Sequence, residues 1–125
     1  MLSPKVYVKR SNMTLPIIMI NYREKVVQTF DENKRTDESP SLAYEYYLFR
    51  EVEFLENTGY KDKNGEYIYE GSIVKNDVGI YSIKRSEGYK FISMYNGSLY
   101  VLLDEDICRE IEVIGNIYEN KELLG

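Results

Sequence analysis

Short apolar segments separated by turn-forming residues run through most of this 125-residue chain. Val6–Lys9 and Leu15–Ile20 flank the polar pair Ser11-Asn12, and this arrangement predicts two strands joined by a turn. Glu24–Phe30 fits either a third strand or a short helix. The adjacent valines and Thr29 of that segment are stiff at χ1 and favour the strand.

A charged segment without large apolar side chains, residues 31–41, interrupts this pattern and is predicted to be a loop. The segment after it is ambiguous between helix and strand. Leu42, Tyr46 and Phe49 would share one face of a helix, whereas apolar residues alternate with charged ones from Leu48 onward. We therefore predict a short helix near residues 41–47 and a strand from about residue 50 to 56.

The rest of the chain is predicted to form a small β-domain. Asn96-Gly97 lies between two β-prone segments and predicts a tight hairpin, because a type I′ turn needs positive φ at both central residues. Ser86-Glu87-Gly88 predicts a three-residue hairpin loop. Strands are expected near residues 72–76, 79–85, 89–95, 98–103 and 110–118. Five short strands with tight connections favour a strongly bent sheet or a barrel.

The predicted fold class is therefore mainly β with a minor helical part, α+β overall. Residues 1–57 are expected to hold the N-terminal strands, the charged loop and the short helix, and residues 58–125 the β-domain. The two segments together could also form one compact unit, since the chain is the length of a single domain.

The net charge of −5 is located at one end of the chain. Residues 1–103 carry 14 basic and 14 acidic side chains, whereas residues 104–125 carry seven acids against Arg109 and Lys121. A neutral body with an acidic end is a poor match for nucleic-acid phosphates. It suits a basic protein partner, or it keeps the domain soluble.

The chain lacks the residues of the common catalytic sites. It contains no histidine and one cysteine, Cys108, which excludes Ser-His and Cys-His pairs and an internal disulfide. Asp62-Lys63-Asn64-Gly65 resembles part of a calcium loop, but alignment on Gly65 places Tyr60 and Gly71 where the first aspartate and the last glutamate belong. We expect a β-turn there, with no metal, no cofactor and no enzymatic activity.

Three groups of residues are candidates for binding. Tyrosine is abundant, with 13 copies against four Phe and no Trp, and tyrosine is enriched in strands and in protein interfaces. The candidates for protein contact are an aromatic segment and an acidic segment: Tyr44, Tyr46, Tyr47 and Phe49, with Asp104, Glu105 and Asp106. The alternative is a nucleic-acid face on the 81–91 hairpin, where aromatic and basic residues alternate: Tyr81, Lys84, Arg85, Tyr89 and Lys90.

Two segments of the chain resemble the YopX family of phage and prophage proteins. The first, TGYKDKNGEYIYEGSIVK, matches at Thr58, Gly59, Lys61–Gly65, Ile68–Gly71, Ile73 and Val74. The second, IEVIGNIYENKELL, matches at Ile111–Asn120, Glu122, Leu123 and Leu124, so the resemblance covers residues 58–124. Ser72 replaces the usual acid and Lys121 the usual proline.

The resemblance implies an SH3-like barrel in the C-terminal part, a phage origin and a bacterial host cytoplasm. It supplies no catalytic residues, since the family is essentially uncharacterised. The start of the chain has no apolar signal segment, and no apolar run is long enough to span a bilayer. We expect a host or phage protein as the partner, with nucleic acid as the alternative and a homo-oligomer as a further possibility.

Overall fold

A computed structural model describes residues 3–85, 91–95 and 98–124, apart from the side chains of residues 91, 92, 94, 95 and 98–100. Most regular structure in this part of the chain is β-strand, which confirms the mainly β class. The chain separates into two compact units, one spanning Ser3–Leu55 and one that begins at Glu56.

The N-terminal unit contains one antiparallel sheet with the strand order β4-β3-β2-β1-β5. Its strands are β1 (Lys5–Val8), β2 (Met13–Asn21), β3 (Val26–Phe30), β4 (Tyr44–Leu48) and β5 (Val52–Leu55). The first three strands and β5 confirm the strands predicted in this half. The predicted turn between β1 and β2 is also present, with Asn12 at φ 54.

The core of this unit follows from the alternation of side chains along its strands. Val6 and Val8 of β1 are fully buried, while Lys5 and Tyr7 between them are only partly covered. Because cross-strand partners share one face of a sheet, Leu15 opposite Val6 points into the same core. The buried cluster comprises Val6, Val8, Leu15, Val27, Tyr47 and Val52.

The predicted helix near residues 41–47 is wrong. Only Pro40–Ala43 forms a short 3₁₀ turn, and the chain then enters β4, which pairs with β3 along its whole length. A helix would place Tyr46 and Phe49 on one face. In the observed strand, Tyr47 is instead the aromatic residue that is buried in the core. Pairing with β3 therefore decides the structure where the sequence period was ambiguous. A second 3₁₀ turn, Glu32–Lys34, lies in the predicted loop.

The C-terminal unit contains a two-stranded hairpin and a five-stranded antiparallel sheet. The hairpin consists of β6 (Asn57–Lys61) and β7 (Tyr67–Tyr69), two strands that were not predicted and that lie on either side of the predicted turn at Asp62–Gly65. The sheet has the order β11-β10-β9-β8-β12, with a four-residue helix α1 (Glu105–Cys108) before its last strand. Its strands are β8 (Ser72–Lys75), β9 (Ile80–Arg85), β10 (Phe91–Tyr95), β11 (Ser98–Leu102) and β12 (Glu112–Asn116).

All five strands predicted for this sheet are present, and each end lies within two residues of its predicted position. The pairing of β9 with β10 and of β10 with β11 agrees with the two predicted hairpins. Their turns, Ser86-Glu87-Gly88 and Asn96-Gly97, lie outside the described residues. Among the described strands the sheet has an open order, and the SH3-like barrel stays a prediction.

The buried cluster of this unit joins strands of both sheets to the segment around α1. Its members are Ile68, Val74, Tyr81, Ile83, Leu103, Cys108 and Ile111. Cys108 is fully buried and packs as a small apolar residue. Burial raises the pKa of its thiol to about 11. In the part of the chain that the structure describes, no helix is long and apolar enough to cross a membrane.

The pairing of β12 with β8 has a register shift between Val113 and Gly115. A Cβ atom on Gly115 would lie 2.4 Å from Oδ1 of Asn120. That oxygen accepts a hydrogen bond from the backbone N–H of Asn116 at 3.0 Å. Glycine is thus required by the turn that closes over the end of β12.

Candidate functional site

The surface with the strongest features of a binding site is one face of the N-terminal sheet. The register pairs Gln28 with Tyr46 and Phe30 with Tyr44, so these side chains share a face. Met19 of β2 lies opposite Gln28 and extends the same face. We call this surface the open face; it comprises Met19, Asn21, Val26, Gln28, Phe30, Tyr44, Tyr46 and Leu48.

The open face is the part of this side of the sheet formed by β2, β3 and β4, and none of its eight side chains is charged, although 30% of the residues in the chain are. Lys5 of β1 and Glu53 of β5 lie further along the same side. Four of its eight residues are exposed, with Tyr46 at 63%, Tyr44 at 45% and Met19 at 43%. The rings of Phe30 and Tyr44 contact each other edge to face, with their centroids 5.3 Å apart. Exposed aromatic and Met side chains without charges are typical of the core of a protein interface.

The structure divides the predicted aromatic segment between the surface and the interior. Tyr44 and Tyr46 lie on the open face, whereas Tyr47 is buried in the N-terminal core. Phe49 is only partly exposed, because its ring packs edge to face on Phe54 at 5.2 Å and on Tyr22 at 6.0 Å. Only the first two of these four residues therefore have rings available to a partner.

Behind the open face, a polar network fixes the outermost strand, β4. The Tyr47 hydroxyl donates to Oε2 of Glu45 at 2.9 Å, and Lys34 donates to Oε1 of the same carboxylate. The Lys34 hydrogen bond lowers the pKa of Glu45, and burial raises the pKa of Tyr47. The network satisfies the one carboxylate of β4, which points away from the open face.

The acidic segment has a local structural role. Oδ1 of Asp104 accepts the backbone N–H of Ile107 at 2.9 Å and caps α1. Glu105 and Asp106 both pair with Arg109, at 3.5 and 3.4 Å. The Asp106 side chain is 91% exposed. Pairs this exposed contribute little to stability.

The alternative nucleic-acid face is only partly described. The Tyr81 ring is 2% exposed and belongs to the C-terminal core, so it is not available to stack on a base. Lys84 is exposed, and Arg85 donates to Oε2 of Glu56 at 3.0 Å. Tyr89 and Lys90 lie outside the described residues.

A cleft of about 300 Å³ lies beside the β6–β7 hairpin, and sequence reasoning missed it. Its charged side chains make contacts within the chain. Arg109 binds Glu105 and Asp106, and Nζ of Lys61 lies 4.9 Å from the centre of the Tyr67 ring. A ligand would have to displace these contacts, so the cleft is a weaker candidate than the open face.

Asp62, in the wall of this cleft, is a structural residue. Oδ1 accepts the backbone N–H groups of Asn64 and Glu66, both at 2.9 Å, and Oδ2 accepts that of Val113 at 2.9 Å. Gly65 follows with φ 80, as the predicted β-turn requires. The TGYKDKNG segment thus folds a hairpin and ties it to β12. Among the described residues, no group of three or more His, Cys, Asp or Glu side chains could hold a metal ion.

Sequence reasoning found two residues of the open face and missed the others, including Met19 and Phe30. Because β3 is a strand, Val26, Gln28 and Phe30 lie on one side of it. Their exposure to a partner depends on β4 being a strand, and that segment was assigned to a helix.

Comparisons with known proteins place the chain in one family. A family model described as YopX protein matches residues 5–125. The match begins at Lys5, so the N-terminal unit is included as well as the two segments that carried the resemblance. No curated protein matches the chain.

Among solved structures, the chain is similar to the crystal structure of protein EF1440 from Enterococcus faecalis. The TM-score is 0.66 at 20% sequence identity, over 98% of this chain and 97% of that chain. A likeness at this identity shows the fold alone.

Proposed function

The chain belongs to the YopX family, and we propose that it is a phage-encoded, non-enzymatic protein–protein interaction module that acts on a host or phage protein. The absence of histidine from the sequence supports a role without acid–base catalysis. The phage origin is the setting that the family resemblance implies.

The observation that carries this proposal is the open face. Interface cores lose charged residues and gain Tyr, Phe and Met relative to the rest of a protein surface. Tyr44, Tyr46, Phe30 and Met19 supply these residue types on one side of a paired sheet. A sheet also holds such side chains in fixed positions, which lowers the entropy cost of binding.

For the C-terminal unit we propose an SH3-like barrel that serves as the scaffold. In its sheet, β8 to β11 follow one another and the last strand, β12, returns to pair with β8. A short helix, α1, precedes that last strand. This strand order and this connection support the proposed barrel.

The open face is a better candidate than the acidic segment for the contact with the partner. Asp104 is a helix cap, and Glu105 and Asp106 are balanced by Arg109. Exposed charges of this kind affect association rates more than affinity. We therefore assign the main contact to the aromatic side chains.

The test is a comparison of wild type with two single variants. Tagged chain is used to capture proteins from bacterial lysate with nuclease present, and the captured protein is identified and purified. Its affinity for the purified chain is then measured by calorimetry. Tyr46→Glu should weaken binding by about 2 kcal/mol or more, the loss typical of a central interface tyrosine.

Val78→Glu is the matched control, because Val78 is an exposed apolar residue of the C-terminal unit. It should bind like wild type, and circular dichroism should show that both variants are folded. Equal affinity for Tyr46→Glu and wild type would contradict the proposed role of the open face. Capture that disappears with nuclease would favour the nucleic-acid alternative.

A further inference from the structure

The outer edge of β4, beside the open face, lacks most of the features that normally protect an edge strand. Lysine, proline and β-bulges on the strand itself are the common devices against the addition of a further strand. β4 has the sequence YEYYL, and its pairing with β3 runs without a register shift. Its one charged side chain, Glu45, is occupied by Lys34 and Tyr47. Protection of this edge therefore has to come from outside the strand.

The backbone groups that point outward from β4 follow from its pairing with β3. At one end of the pairing, Asp31 N donates to Ala43 O. At the other end, Phe49 N donates to Lys25 O. By antiparallel alternation, the residues that direct their N–H and C=O groups away from β3 are Tyr44, Tyr46 and Leu48. A strand added at this edge would have to pair with these three residues.

Two of the three outward N–H groups are already occupied within the chain. The N–H of Tyr44 donates to the carbonyl of Ser41, in the 3₁₀ turn before β4. The N–H of Leu48 donates to Oε1 of Glu51 at 2.8 Å. An added strand would have to displace both hydrogen bonds, which disfavours its addition.

The turn that contains Glu51 also closes the opposite edge of the N-terminal sheet. This 3₁₀ turn, Phe49–Glu51, joins β4 to β5, and these are the two outermost strands. Because Lys9 N donates to Glu51 O, the next residue, Val52, faces away from β1. The N–H of Val52 donates to Phe49 O in the turn. One short turn thus occupies an outward N–H group on each edge of the sheet.

The outermost strand β12 of the C-terminal sheet shows a similar arrangement. β12 lies at the end of the strand order, next to β8. The N–H of Val113 donates to Oδ2 of Asp62 at 2.9 Å, and that of Asn116 donates to Oδ1 of Asn120 at 3.0 Å. Side-chain acceptors therefore occupy N–H groups of an edge strand in both units.

We propose that Glu51 is a gatekeeper residue, whose carboxylate occupies the Leu48 N–H and thereby prevents the β4 edges of two chains from pairing. In an antiparallel pair centred on Tyr46, three outward N–H groups from each chain would form six hydrogen bonds. Two of the three are occupied in each chain, so four of the six bonds are blocked. One consequence rests on the proposed function: a partner engages the open face through side chains and not through the main chain of β4.

Sedimentation equilibrium of the full chain, up to roughly hundreds of micromolar, tests the gatekeeper. Glu51→Ala frees the Leu48 N–H in both chains, so two more hydrogen bonds can form across the pair. It should therefore lower the dissociation constant for self-association about tenfold or more relative to wild type. Glu51→Gln keeps an oxygen acceptor and should behave like wild type. Equal association of Glu51→Ala and wild type would overturn the proposal.

Two further variants separate pairing at the edge from a general loss of stability. Asp104→Ala removes a cap of the same kind from α1, and it should associate no more than wild type. Tyr46→Pro, added to Glu51→Ala, removes the middle outward N–H without removing a hydrogen bond to β3, and it should abolish the association. Circular dichroism should show that all variants are folded. Association that survives Tyr46→Pro, or that Asp104→Ala shares, would contradict pairing at this edge.

The gatekeeper and the proposed function fail in different experiments. If Glu51→Ala associates no more than wild type, the gatekeeper is overturned, and the comparison of Tyr46→Glu with wild type is unaffected. If Tyr46→Glu binds the captured partner like wild type while Glu51→Ala self-associates, the gatekeeper stands and the role of the open face is contradicted. Tighter binding of the captured partner by Glu51→Ala would show that the partner adds to the edge, and it would overturn recognition through side chains alone.

Discussion

Replacement of Asp62 should destabilise the C-terminal unit more than replacement of any exposed acid. The Asp62 side chain is buried and accepts three backbone N–H groups, those of Asn64, Glu66 and Val113, all at 2.9 Å. A hydrogen bond to a charged group contributes roughly 1.5–3 kcal/mol. The three bonds share one carboxylate, and the Asn64 N–H in the turn can donate to water when Asp62 is replaced, so their contributions do not add in full. Asp62→Ala should therefore lower the free energy of unfolding by about 3–5 kcal/mol.

Asp62→Asn tests the separate contribution of the contact with β12. The amide keeps one oxygen for Asn64 and Glu66 but points its NH₂ group at the Val113 N–H, so we expect a loss of about 2–3 kcal/mol. Urea unfolding followed by circular dichroism measures both losses. Asp106→Ala is the control, because its side chain is 91% exposed, and it should stay within about 0.5 kcal/mol of wild type. The reasoning is refuted if both Asp62 variants also unfold within that margin.

Three further changes test other parts of the structure. Gly115→Ala should lower the free energy of unfolding in urea by about 1–3 kcal/mol, because its Cβ would lie 2.4 Å from Oδ1 of Asn120. The double variant with Asn120→Gly should lose less than the sum of the two single losses, and an additive loss would contradict the clash. The Lys34 hydrogen bond lowers the pKa of Glu45, so the stability that this carboxylate contributes is present above its unfolded pKa of 4.5 and is lost as the pH falls through the lower folded pKa. Glu45→Gln should therefore make the melting temperature depend less on pH in this acidic range, at a cost of about 1 kcal/mol at neutral pH. An unchanged pH dependence would count against the network. Burial raises the pKa of Cys108 from 9.0 to about 11, so the folded chain should lose up to about 2–3 kcal/mol between these pH values relative to Cys108→Ala, and parallel pH curves for the two proteins would exclude this effect.

The parts of the fold that local signals determine could be predicted from the sequence. In the sequence, β8 to β11 are separated by segments that contain glycine and signal turns, so their positions could be predicted from turn residues. The 44–48 segment could not be assigned in this way, because its tyrosines fit a helical stripe and a strand equally well. Pairing with β3, which is distant in sequence, selects the strand. The open face depends on that choice and was missed with it.

The same distinction explains why the most recognisable segments are not the best candidates for binding. A turn residue such as Asp62 or Asn116 is recognisable in the sequence because few other side chains could accept the same backbone N–H groups. Oδ1 of Asn116 accepts the N–H groups of Tyr118 and Glu119, at 3.0 and 2.8 Å, in the closing turn. A side chain whose acceptors are already used by its own backbone has little left to offer a ligand. Exposed residues such as Tyr46 and Met19 contribute less to the fold, so they can be replaced with a smaller loss of stability. Searches for function in this protein should therefore begin at the open face, where substitution changes recognition more than stability.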